Sequence, residues 1–147
     1  MKKIITILNL LLISLPSFAA GVGYINYEKV ASEYQFAKAS LREIETKGRE
    51  IQQYLKNKEA EFAKLETPLQ KQKFQESVQA ELKTKENAFN DFRNKREEEV
   101  YQRIYAVAEK IRLEKGLDVL IDAKGVFSGG VDISDTLIER LNANGIR

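Results

Sequence analysis

From Val30 onward, apolar residues recur at alternating spacings of four and three. The series runs Val30, Tyr34, Ala37, Leu41, Ile44, Gly48, Ile51, Leu55, Lys58, Phe62 and Leu65. Held over about five heptads, this alternation predicts the a/d seam of a coiled coil. Two positions depart from it. Gly48 leaves a gap and costs about 1 kcal/mol of helix propensity relative to Ala. Lys58 places a charge in the seam, which is tolerated when its stem lies along the apolar surface and its amine reaches water.

Thr67-Pro68 ends this first helix, because Pro disfavours helical geometry at the residue before it. Pro is also suited to the first turn of a following helix. The second helix is expected from about Leu69 to Lys115. Its seam reads Val78, Leu82, Lys85, Phe89 and Phe92, and resumes at Val100, Ile104, Val107 and Ile111. The step from Phe92 through Arg96 to Val100 is a four-four stutter, which locally unwinds a supercoil. Gly116 stands where a helix C′ glycine belongs. Two helices joined by so short a turn lie antiparallel, in preference to one continuous helix kinked at Pro68. Each arm of roughly 36 residues then reaches about 55 Å.

The two extremes of the chain differ from its middle. Val22-Gly-Tyr-Ile-Asn26 reads as a short strand, and Leu117-Asp-Val-Leu-Ile-Asp122 as a second with alternating residues. Ala123-Lys-Gly125 turns the chain, and Val126-Phe127 reads as a return strand. Asp132-Ile133-Ser134 caps a final helix with Leu137, Ile138 and Leu141 on one face and Asn144-Gly145 at its end. The expected fold is therefore α+β and mostly helical. A long antiparallel coiled-coil hairpin, residues 31–115 with its turn near 67–68, is inserted into a small β-rich body. Residues 20–30 and 116–147 build that body, including the short C-terminal helix. About 40 residues make a poor core by themselves, and bare strand edges invite pairing with other chains. Obligate oligomerisation through the strand region follows, with Tyr24, Ile25, Leu117, Val119, Ile121 and Val126 as the candidate contacts.

The chain has no Cys and no His, and its one Met is the first residue. Disulfides, thiolate nucleophiles, the common zinc sites and histidine acid–base chemistry are all excluded. The densest acidic run, Glu97-Glu98-Glu99, points in three directions on a helix and forms no site. The glycines from Gly125 to Gly130 are followed by no Lys-Ser or Lys-Thr and make no phosphate cradle. No catalytic residue, cofactor or metal is expected.

Residues 1–19 have the layout of a secretory signal peptide. Lys2 and Lys3 precede an apolar run from Ile4 to Leu15, Pro16 breaks it, and Ser17-Phe18-Ala19 supplies small residues before a cut at Ala20. The run is shorter than the roughly 18 to 20 residues that span a bilayer. Its removal takes two lysines from a chain of net charge +2, leaving 22 basic residues against 22 acidic ones. A balanced mature chain lacks the basic excess that nucleic-acid binding needs.

Tyr54, Phe74, Tyr101 and Tyr105 fall off the seam series, so some apolar surface is expected to face away from the partner helix, either for contact with apolar segments or for simple packing near the body. Lys64, Lys71 and Lys73 gather at the tip of the hairpin, partly offset by Glu66 and Glu76. They suit a solvated helix end, or a weak contact with acidic partners or an anionic membrane surface.

The leader, Gly-Tyr-Ile-Asn (23–26), the charged hairpin, Gly-Leu-Asp-Val-Leu-Ile-Asp-Ala (116–123) and Val-Asp-Ile-Ser-Asp (131–135) together resemble the Skp/OmpH family of periplasmic chaperones. The closing strand–turn–helix segment is the specific part of that likeness. The resemblance implies a homotrimer in which strand regions form a shared body and three hairpins project as prongs around a cavity. It implies ATP-independent binding of unfolded outer-membrane β-barrel proteins in the periplasm. Family members are often strongly basic where this chain is balanced, so no lipid-binding residues carry over. The competing reading is a structural coiled-coil adaptor or spacer of the cell envelope.

Overall fold

The computed structural model describes residues 21–143. The leader at 1–19 and the Asn144-Gly145 helix end lie outside the described residues.

Three short strands form one sheet. β1 (Val22–Ile25) lies in the middle, with β2 (Val119–Asp122) on one side and β3 (Val131–Asp132) on the other. Both neighbours run parallel to β1, pairing Val22 with Val119, Tyr24 with Ile121, and Tyr24 with Asp132. The first strand thus meets the later ones beneath the hairpin, as the position of the strands in sequence requires. Gly23 is what permits the close approach. A Cβ there would lie 2.6 Å from Leu120 Cδ2 and 2.7 Å from Leu117 Cδ1.

The return strand expected at Val126-Phe127 does not form. Asp122 accepts the Lys124 N–H at 2.8 Å and starts a single 3₁₀ turn, Ala123–Gly125. The chain then swings through Gly129 and Gly130, at φ 81° and 89°, and returns on the far side of β1 as β3. Gly130 has room for no side chain, since a Cβ would meet the Tyr24 ring and Val22 O at 3.2 Å. β1 is therefore paired on both edges, and among the described residues β2 keeps an open one.

Among the described residues the helices are α1 (Tyr27–Glu33), α2 (Gln35–Phe62), α3 (Pro68–Glu114) and α4 (Ser134–Ala143). The seam series predicts one helix through Tyr34, but the backbone is extended there, at φ −73° and ψ 119°. Tyr34 sits at this break with its ring in the core, and α2 restarts at Gln35. Within α2, Ser40 is buried, and Leu41, expected in the seam, is left 56% exposed.

α3 opens on a capping box. Thr67 Oγ1 accepts the Gln70 N–H, the Gln70 side chain accepts the Thr67 N–H, and Pro68 fills the first position. α2 stops at Phe62, a few residues before the expected turn, and residues 63–67 make the connection. Cross-helix neighbours step in opposite directions along the two helices. Arg96 bonds Glu43, Phe89 lies against Gly48, Tyr54 bonds Glu81, and Phe62 meets Phe74. The pair is antiparallel.

The continuous core sits at the base. Val30 and Tyr34 pack there with Ile104, Ala108 and Ile111 of α3, and with Leu117, Ile133, Leu137, Ile138 and Leu141. Asp132 takes up the Ser134 backbone N–H at 2.8 Å, and the Ser134 hydroxyl accepts the Asn26 N–H at 2.9 Å. These bonds tie the two extremes of the chain around the foot of the hairpin. Farther out, two helices have no third layer to cover them. Ile44, Ile51, Leu55 and Phe62 are accordingly only half-buried.

Candidate functional site

Among the described residues no group of carboxylates is placed to hold a metal ion, and no helix is long and apolar enough to cross a membrane. The titratable groups with shifted affinities are nearly all in exposed pairs. Glu109, for example, is held below the usual carboxylate range by its bond to Arg112. What the fold offers is surface, in two places.

The first is the outer arm. Tyr54 and Phe74 do not face away from the partner helix. Phe74 extends the α3 seam one turn toward the tip, ahead of Val78 and Leu82, and its ring centroid lies 6.1 Å from that of Phe62. Tyr54 flanks Leu55 and reaches across, its hydroxyl donating to Glu81 Oε2 at 2.8 Å. Withdrawal from water and that bond to a carboxylate push the Tyr54 phenol up to about 12. Glu81 is lowered in turn by the Tyr54 and Ser77 hydroxyls.

Lysines lie over these rings. Lys85 and Lys58 stand 4.8 and 5.6 Å from the Tyr54 centroid, Lys58 also 5.5 Å from Phe74, and Lys71 5.8 Å from Phe62. Lys71, expected at the solvated tip, is thus half-buried against the seam, while Lys64 and Lys73 are exposed there. Such contacts contribute about 0.5–1 kcal/mol each at exposed sites, so a lysine can be displaced from its ring at small cost. An open groove of about 580 Å³ is lined by Leu55, Phe62, Phe74, Val78 and Leu82, with Lys58 among its polar neighbours.

The second surface is at the base. Tyr101 and Tyr105, one helical turn apart, are exposed and stacked, with centroids 6.2 Å apart and planes at 24°. With Tyr27 they border a groove of about 630 Å³ that runs to the open edge of β2, where Val119 and Ile121 are exposed. Ile25, Ile104 and Ala108 line it as well. Arg112 secures one end, donating to both Glu109 oxygens at 2.6 and 2.7 Å and to the Leu117 carbonyl at 2.6 Å.

The six residues assigned to oligomerisation therefore divide. Val119 and Ile121 are exposed on the strand edge, and Tyr24, Ile25 and Val126 are half-buried. Leu117, at 6% exposure, belongs to the chain's own core, because it fills the space opposite Gly23. Two exposed aromatics escaped the sequence reading of contacts. Tyr27 lies outside the seam series, and Phe127 stood in a strand that does not form here.

A similar fold is found among solved structures. A crystal structure from Caulobacter crescentus CB15, assigned there as an OmpH-like outer membrane chaperone, is 17% identical to this chain. The match covers 86% of each chain at a TM-score of 0.50, a likeness of fold. No curated protein matches. A family model described as "Outer membrane protein (OmpH-like)" matches residues 21–141, from the first residue of the body through the last helix. Sheet, hairpin and closing helix all fall within that span, and the chain belongs to the OmpH-like outer membrane protein family.

Proposed function

We propose that this protein is an ATP-independent holdase of the periplasm, which shields unfolded outer-membrane β-barrel proteins between the arms of a homotrimer. The family is one of chaperones and not of enzymes. The observation that carries the finer reading is the unfinished burial along the arm. Leu55, Phe62, Phe74, Val78 and Leu82 border an open groove that a two-helix arm has no means of covering. Unfolded barrel chains present short segments with alternating apolar residues. Many weak contacts of such segments inside a shared cavity sum to useful avidity while each still releases.

The balanced charge of the chain after the leader makes apolar shielding the main source of its grip, with the lysines over Tyr54, Phe62 and Phe74 keeping the free arm soluble. The body supplies the oligomer, since its core is small and β2 keeps an open edge. Residues 20–147, at micromolar concentration and without nucleotide, are expected to suppress the light scattering of a β-barrel protein diluted from urea. No suppression at molar excess sinks this reading and leaves an envelope spacer or adaptor in its place.

A further inference from the structure

Gly21, just ahead of β1, is clasped by Asp118. Its N–H donates to Asp118 Oδ2 at 2.7 Å, and its carbonyl accepts the Asp118 N–H at 2.8 Å. A Cβ at this position would lie 3.2 Å from Leu117 Cδ2 and 3.3 Å from Gly116 O, so the backbone runs close against the chain that leaves α3. β1 begins at the next residue and is the central strand, paired with β2 and β3 alike. The junction that the sequence marks for cleavage, Ala19–Ala20, is separated from this clasp by one residue. Both partners of β1 stand at the other end of the chain. Val22 pairs with Val119 and Gly23 with Val131, on the far side of the hairpin in sequence.

We infer that closing of the body seals this junction, so that leader removal has to precede the pairing of β1 with β2 and β3. This rests on the reading of residues 1–19 as a leader. A peptidase that takes its substrate as an extended segment bonds to backbone groups on both sides of the bond it cuts, as in strand addition. In the closed body the N–H and C=O of Gly21, the second residue beyond the cut, are already committed to Asp118. Freeing them means opening the start of a strand that is paired on both sides, and such core strands open at free energies near that of global unfolding. The topology supplies the interval for cleavage. A chain exported from its N-terminus delivers Gly21 first and Asp118 97 residues later. Until then neither strand partner of β1 has arrived, and the junction stays open. The long insertion between β1 and β2 thus sets the order of events as well as providing the arm.

The test uses the full chain, residues 1–147, diluted from urea into nonionic detergent and exposed to purified signal peptidase. Added at the moment of dilution, the enzyme is expected to release residues 20–147, identified by mass. Added after refolding is complete by circular dichroism, it should cut at least about tenfold more slowly, because cleavage then waits on opening of the body. Equal rates at the two times overturn the inference and leave the leader standing. A freshly diluted chain that is not cut at 19–20 overturns both. A second precursor, with about eight Gly and Ser residues inserted between Ala20 and Gly21, separates closure of the body from burial of the leader in detergent. Its junction can stand up to about 26 Å from the clasp, so it should be cut at the same rate early and late. A late decline as large as that of the parent would place the protection in the micelle and overturn the inference.

Discussion

The side-chain oxygen of Asn142, near the end of α4, accepts the backbone N–H of Gln35 at 2.9 Å, the first residue of α2. Its amide nitrogen also donates to Glu33 O at 3.2 Å, so one side chain serves both sides of the break at Tyr34. The last helix thereby fixes the direction in which the arm leaves the body. Removing a cap of this kind typically costs about 0.5–2 kcal/mol. Asn142→Ala should lower the urea midpoint accordingly, with the larger effect in amide exchange at residues 34–38.

Gly48 and Gly23 should respond in opposite directions to the same substitution. A Cβ at Gly48 would lie 3.9 Å from the Phe89 ring, in ordinary contact. Gly48→Ala is therefore expected to stabilise the arm by about 0.5–1 kcal/mol. At Gly23 the methyl would collide with Leu117 and Leu120. Overpacking of that kind costs about 1–3 kcal/mol, so Gly23→Ala should lower the thermal midpoint.

Phe74→Ser should separate holding from assembly. Phe74 borders the arm groove and is far in sequence from the base core. Losing an aromatic contact of about 1–2 kcal/mol weakens client binding by roughly five- to thirtyfold. Oligomer mass should stay as it is. Titration with a fluorescent unfolded barrel protein checks the first expectation, and light scattering the second.

Stability should be nearly flat between about pH 6 and 9, because the chain has no histidine to titrate there. Asp132 is held below its ordinary range by the Ser134 hydroxyl and backbone N–H, as Glu81 is by Tyr54 and Ser77. A carboxylate lowered on folding contributes stability above its unfolded value and loses it as pH falls through the folded one. Chemical denaturation midpoints should thus decline below about pH 4.5. Tyr54 gives the mirror effect at the alkaline end, where its contribution is lost as pH rises from about 10 toward about 12.

The hairpin was legible because periodicity and Pro68 are local signals, and α2, α3 and the closing helix stand close to where the spacing puts them. What the heptad series missed was set by contacts distant in sequence. The break at Tyr34 depends on Asn142, more than 100 residues away. The parallel course of β3 depends on β1 being free to pair on both sides. Tyr54 and Phe74 were placed outside by a strict 4-3 count, whereas two bare helices draw in any large side chain flanking the seam. Leu117 was assigned to an interface because alternation cannot tell a subunit's own core from a neighbour's.

Size-exclusion chromatography with light scattering, on residues 20–147 mixed with an unfolded outer-membrane barrel chain, decides whether the trimer holds a client. A trimeric holdase gives one soluble species whose mass equals three subunits and one client, formed without nucleotide. A client that aggregates while this protein elutes at its unliganded mass would contradict it.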